Sequence, residues 1–198
     1  MVRARDRALG LLVAASDALH RGLAVIADQA VWLLVALTGV ICVDVVSRKL
    51  GIQIPGLGST TLQELEWHLH AVLFSLWLGF AYLVNAHPRV DSYSEAFSLR
   101  TKAWVELLGC LVFAIPYCYV LVRWGVPFVA ASFAAGESSE SVGGIPYRWI
   151  IKGVFVAGLF LLLAAVLSMT LRLVAFLLGG PAVRGRITLP LETRPPSV

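Results

Sequence analysis

Charge is what this chain of 198 residues has least of. Only 14% of its residues are Asp, Glu, Lys or Arg, while 59% are hydrophobic. A soluble fold needs a polar exterior, and this composition cannot cover one. Cysteine is scarce as well, and Cys42, Cys110 and Cys118 all fall within apolar stretches. With no cysteine pair in a polar loop, a quinone-coupled disulfide oxidoreductase is excluded, and the three thiols read as packing residues. Of the four histidines, His68 and His70 share one helix, His87 lies past its end, and His20 precedes the first apolar run. Haem held between helices needs histidines that face each other at matching depth, and no pair here qualifies. There is no internal repeat, no acidic cluster at mid-depth and no broken helix, which argues against a transporter or channel working alone. No catalytic, cofactor-binding or metal-ligating set emerges.

Long uncharged runs are what the chain has in abundance. Gly153 to Leu171 holds nineteen residues without a charge, between Lys152 and Arg172. As a helix it measures roughly 28 Å, close to the ~30 Å hydrocarbon thickness of a bilayer. Ala30 to Val43 reaches the same length if it extends through Asp28 to about Leu23 and through Asp44 to about Val46. His68 to Val84 and Leu107 to Val122 supply two more runs, the second closed by Arg123. Together they predict an all-α integral membrane protein with four transmembrane helices, over about 23–46, 66–84, 104–123 and 150–172. Trp67, Trp104, Trp124 and Trp149 fall at span ends, where an indole keeps its ring in the acyl boundary and its N–H near water; only Trp32 and Trp77 lie well inside.

Basic residues orient the spans. With a cytoplasmic N-terminus, the inner segments hold Arg3, Arg5, Arg7, Arg21, Arg89, Arg100, Lys102, Arg172, Arg184, Arg186 and Arg194. The outer segments hold Arg48, Lys49, Arg123, Arg148 and Lys152, a division of eleven against five. Both termini are therefore expected in the cytoplasm. The net charge of +4 reflects this topology and contact with anionic lipid headgroups, without nucleic acid. Arg3, Arg5 and Arg7 before the apolar Ala8 to Ala15 resemble a signal peptide, but that run is short and Ala15-Ser16-Asp17-Ala18 is a poor cleavage site. Residues 1–22 are instead expected as an N-terminal arm, with Leu9 to Arg21 as an interfacial amphipathic helix. Residues 23–178 form the four-helix domain, and the Pro-containing 179–198 is expected as a disordered cytoplasmic tail.

The loops differ in character. Ser47 to Thr61 is Gly-rich and outward. Asn85 to Lys102 is inward, with Ser92 to Leu99 as a short surface helix. Ala130 to Arg148 is outward and holds the polar Glu137-Ser138-Ser139-Glu140-Ser141 tract. Glu64 and His68, and likewise Glu66 and His70, sit at i, i+4 at the outer end of span two. Proton or ion handling is one reading. An interfacial cluster in which these carboxylates answer Arg48 and Lys49 is the stronger one, because charge costs less at a span end. Arg123 is placed at the outer interface, since Pro127 argues for a helix break soon after it; a helix running on to Phe133 would embed Arg123 and demand a counter-charge. Small residues mark packing faces: Ala71, Ser75 and Gly79 recur at i+4 along span two, and Gly153, Ala157, Ala164 and Ser168 form a seam on span four.

An ordered set of short elements carries a resemblance. Asp44-Val45-Val46-Ser47-Arg48 closes span one, and Glu64-Leu65-Glu66 opens span two. His87-Pro88-Arg89-Val90-Asp91 follows, and Glu137-Ser138-Ser139, Gly143-Gly144-Ile145-Pro146 and Lys152 lead into span four. In this order, over about Val31 to Leu177, the chain resembles the small membrane subunit of tripartite ATP-independent periplasmic (TRAP) transporters. The resemblance implies a multi-pass protein of the bacterial inner membrane, without cofactor or enzymatic activity. Its implied partners are a large multi-span subunit, which moves an organic acid inward with sodium, and a periplasmic substrate-binding protein. The small subunit is then a scaffold. Arg89 and Asp91 are implied to fix the turn into the inner loop or touch the partner; Arg48, Glu64 and Glu66 order the outer face; Glu137 and Glu140 are candidates to meet the binding protein. Two other classes stay open at this point: a membrane anchor of a respiratory complex, and a standalone small transporter.

Overall fold

The computed structural model of the chain describes residues 2–52, 54–86 and 96–191, with main chain only for 2–4. Its elements are helices: α1 (Val2–Leu50), α2 (Ser59–Leu83), α3 (Leu99–Gly109), α4 (Ile115–Ala134), α5 (Arg148–Leu178) and the single turn α6 (Pro181–Arg184). No strand occurs among the described residues, and Ile54 and Leu57 form one isolated bridge. Three helical stretches are long and apolar enough to cross a membrane: Arg5–Leu50, Leu99–Ala134 and Arg148–Leu178. At 25 residues α2 has the length, but Glu64, Glu66, His68 and His70 dilute its apolar character.

Several boundaries differ from the expectation. The arm and span one are one helix of 49 residues, roughly 73 Å long and more than twice the hydrocarbon thickness. Leu9 and Ser16 on the arm are buried, so it packs against protein and is not a separate surface helix. The inner-loop surface helix, Ser92 to Leu99, falls in its first four residues outside the described residues. Of the rest, 96–98 is not helical and Ser98 caps α3, its Oγ accepting from the Thr101 N–H at 3.2 Å. Span three begins at Leu99 and does not stop near Arg123. It passes through a π-helical turn, Cys110–Ala114, and continues through Pro127 to Ala134. The π turn lies just before Pro116, whose ring cannot sit against the regular i−4 carbonyl. Pro127 is tolerated inside α4 as prolines often are in membrane helices. The stop comes at Gly136, φ +59°, where Gly136 N–H reaches the Phe133 carbonyl and Glu137 N–H the Ser132 carbonyl.

The chain divides into two compact units. The first comprises Met1–Ala24, Gly79–Tyr119 and Leu161–Val198. Its core gathers Leu83, Leu107, Cys110, Cys118, Val166 and Leu173, so two of the three cysteines are packing residues, while Cys42 is exposed. Ser16 and Ser168 meet hydroxyl to hydroxyl at 2.9 Å, and Arg172 donates to both Ser16 and Asp17. Tyr82 donates to Glu106 Oε1 at 2.8 Å. Within the expected tail, residues 179–191 pack on the core: Val183, Ile187, Leu189 and Leu191 are buried, and Asn85 Nδ2 donates to the Pro190 carbonyl at 3.1 Å. Apolar side chains at alternate positions after α6 find the core, which a reading of proline content alone misses.

The second unit comprises Val25–Leu78 and Val120–Phe160. Here α2 and α5 approach so closely that a Cβ on Gly158 would stand 2.7 Å from the Ser75 carbonyl oxygen. A Cβ on Gly125 of α4 would stand 2.9 Å from Val156. Trp77 donates its indole N–H to the Ala27 carbonyl at 2.9 Å, joining α2 to α1.

Candidate functional site

Of the polar residues that the sequence marks out, Glu64, Glu137 and Lys152 gather in the second unit, around the loop between α4 and α5. Glu64, in the second turn of α2, is 6% exposed. Its carboxylate accepts from the Ser139 hydroxyl, from the Ile145 N–H at 2.5 Å and from Arg148 at 3.4 Å. The carboxyl is held below its ordinary range, first by the Ser139 hydroxyl, then by the Ile145 N–H and, more weakly, by the nearby Arg148 charge. Gly144 makes the approach possible, since a Cβ there would overlap Ser139 and stand 2.9 Å from Glu64 Oε1. Thr61 adds a second tie, donating to the Gly143 carbonyl at 2.6 Å.

Glu137 fastens the other end of the loop. Its Oε2 accepts from Lys152 at 2.5 Å and from Ser132 at 2.7 Å, and these donors hold its carboxyl low, Lys152 foremost. Its own carbonyl accepts the Arg148 N–H at 2.9 Å. Tyr147, φ +63°, makes the sharp entry into α5 that lets Arg148 face Glu64. Arg148 and Lys152 both sit in the first turns of α5, where a helix N-terminus disfavours cations. Glu64 and Glu137 offset that cost.

Asp44 and Arg48 form a third tie at 2.7 Å, one turn apart near the end of α1; the Asp44 side chain is fully buried. The expectation that Glu64 and Glu66 answer Arg48 and Lys49 does not hold, because Arg48 turns to Asp44 and Glu64 to Arg148. Glu66 is half-buried, and its Oε1 has no hydrogen-bond partner among the described residues. His68 Nδ1 meets the Glu64 main-chain carbonyl at 2.6 Å, and the hydrogen bonds of the Glu64 carboxylate go to Ser139, Ile145 and Arg148 instead. Arg89 and Asp91 lie outside the described residues.

Of the small residues, Ser75 is buried in the second unit, donating to the Ala71 carbonyl at 2.6 Å, and Ala71 is half-buried. In the first unit Gly79 is buried, and a Cβ there would meet the Leu161 carbonyl oxygen at 2.6 Å. Of the glycines on α5, Gly158 makes the tighter approach, and Ala165 is fully buried while Ala157 is exposed. The expected α5 seam is therefore displaced by one residue at two of its positions. Sequence reasoning also passed over Arg148, Ser139 and Gly144 as a group; the signal available was a cation at the start of α5 following a Gly-Gly pair.

Asp44, Glu64 and Glu137 are each engaged by a cation of their own chain, and together with Ser139 and the Ile145 N–H they form a clasp that holds the α4–α5 loop in place. The family model of the tripartite ATP-independent periplasmic transporters, DctQ component, matches residues 37–176. The chain belongs to this family. No curated protein and no solved structure matches it. The matched stretch contains Asp44, Arg48, Glu64, Ser139, Gly144, Arg148 and Lys152, so the whole clasp lies within it. A DctQ component is part of a transporter and not an enzyme, which sets aside the respiratory anchor.

Proposed function

We propose that the chain is the small permease subunit of a sodium-coupled TRAP transporter for an organic acid, acting as a scaffold for the large transport subunit. The observation that carries this reading is the clasp. Asp44, Glu64 and Glu137, all within the matched stretch, are each engaged by a cation of this chain in the second unit, where Glu64 and Glu137 fasten α2, α4 and α5 around one loop. Rigidity, with apolar helices open to contact, suits a buttress. In this reading α2 is the fourth span of a multi-pass protein of the bacterial inner membrane, both termini are cytoplasmic, and the α4–α5 loop faces the periplasm. A periplasmic binding protein delivers the acid to the large subunit. Glu140 and Val142, exposed at the loop, are available to it, whereas Glu137 is engaged by Lys152.

The test is reconstitution. The large subunit with its binding protein takes up solute in liposomes only when this chain is present, and this chain alone moves none. Accumulation by the isolated chain overturns the scaffold. In a background without native cysteines, Val142→Cys is expected to react with a membrane-impermeant thiol reagent in intact cells and Thr101→Cys only after lysis; the opposite pattern reverses the topology.

A further inference from the structure

Arg123 stands on the open side of α4. Val120, Arg123, Trp124 and Pro127 follow one another at i, i+3, i+4 and i+7, and all four are exposed. Its depth follows from the neighbouring helix. Phe133 packs edge-on against Trp149, Gly153 lies beside Val129 and Gly125 beside Val156, so α4 and α5 run antiparallel. That register sets Arg123 level with Gly158, six residues or about 9 Å along α5 from Lys152 and inside its uncharged stretch. The extended α4 puts the guanidinium where hydrocarbon is expected.

Nothing among the described residues answers it. Among the described residues Arg123 makes no ion pair, and its guanidinium lies over the adjacent Trp124 ring at 5.5 Å. Four residues on, Pro127 has no N–H to give the Arg123 carbonyl, so the same face carries an acceptor without its helical donor. A cation and a bare carbonyl together on a lipid-facing surface are unfavourable, and such residues face protein. A second copy meeting this face symmetrically would bring Arg123 against like charge. A lipid phosphate would have to be met back at the Lys152 level. A carboxylate on a neighbouring membrane helix answers the guanidinium at its own depth.

We propose that the Val120–Pro127 face of α4 seats a membrane helix of the large transporter subunit, and that an Asp or Glu of that helix pairs with Arg123. This rests on the subunit reading above. The test uses the complete transporter, with this chain tagged and the large subunit retained on it measured in mild detergent. Arg123→Glu is expected to reduce retention at least tenfold and Arg123→Gln by less, while Arg123→Lys keeps most of it. Replacing the matching large-subunit carboxylate by Lys is expected to restore the Arg123→Glu complex. Unchanged helical content and melting of each variant alone show that folding is intact; should Arg123→Glu fail there, Arg123→Gln carries the comparison. Undiminished retention by both variants overturns this seat while leaving the subunit reading standing. Failure of the wild-type chain to retain the large subunit overturns the subunit reading itself. If no large-subunit carboxylate restores the pairing, and the variants instead lose a bound phospholipid or self-association, the carboxylate partner is wrong.

Discussion

The two units tie down their polar groups differently. In the second unit the Glu64 side chain is 8% exposed and meets donors on a loop and a helix brought to it. In the first, Asp17 is 49% exposed and touches Arg172 at the rim of a core that packs well without it. The difference in burial decides what each pair is for. A buried carboxylate with three fixed donors sets a geometry, because removing it strands those donors, whereas a half-exposed pair trades one solvation for another. The buried cluster lies within the 37–176 family match, and Asp17 lies before it.

The largest disturbance is expected where chemistry plays no part. Gly79→Leu in the first unit and Gly158→Leu in the second each force a side chain into main-chain atoms, at about 3 kcal/mol, the upper end for overpacking. Gly109→Leu, with open space around the glycine, should leave thermal stability in detergent nearly unchanged. Equal melting temperatures for all three would remove the close-approach argument.

Next comes the clasp itself. Glu64→Gln turns an acceptor of three donors into a group that must point an amide N–H₂ at one of them. About 2 kcal/mol of destabilisation is expected, or roughly 5 °C in melting temperature. If the loop is only decoration, protease cleavage between Glu137 and Tyr147 will be as slow in the variant as in the wild type.

Acidification sharpens the same contrast. The Glu64 and Glu137 carboxyls lie below their usual 4.5 in the folded chain, so their contribution is fully present above that value and is lost as pH falls through the lower folded values. The melting temperatures of wild type and Glu64→Gln should therefore differ at pH 7 and draw together as pH falls below 4.5 through the lower folded value. A gap that does not narrow at all as the pH is lowered to the acid limit of folding would assign the effect to shape and not to charge.

The smallest effect is expected at Asp17→Asn, under about 1 kcal/mol and smaller still in high salt. A loss as large as that of Glu64→Gln would erase the distinction between the units.

Much of the architecture was legible in the residues. Uncharged length announces membrane helices because hydropathy and rise per residue are local properties, and Gly153 to Leu171 could hardly be anything else. Two expectations failed where local rules compete. Pro127 breaks helices in water but is carried through α4, and the proline-bearing stretch after Gly180 is held by Ile187, Leu189 and Leu191. The site was half legible: Glu64, Glu137, Lys152, Asp44 and Arg48 stood out, and of their pairings only Asp44 with Arg48 is one turn apart.

By itself the sequence determined a helical membrane chain with small-residue faces and a cluster of charges at the helix ends, since each of these depends on neighbours a few residues away. Only the tertiary structure decided that Glu64 belongs to Arg148, 84 residues on, and that the helix bearing Arg123 runs on through Pro127 to Ala134. A charge finds its partner through whichever helix ends the loops bring together, and that is a property of the packed chain.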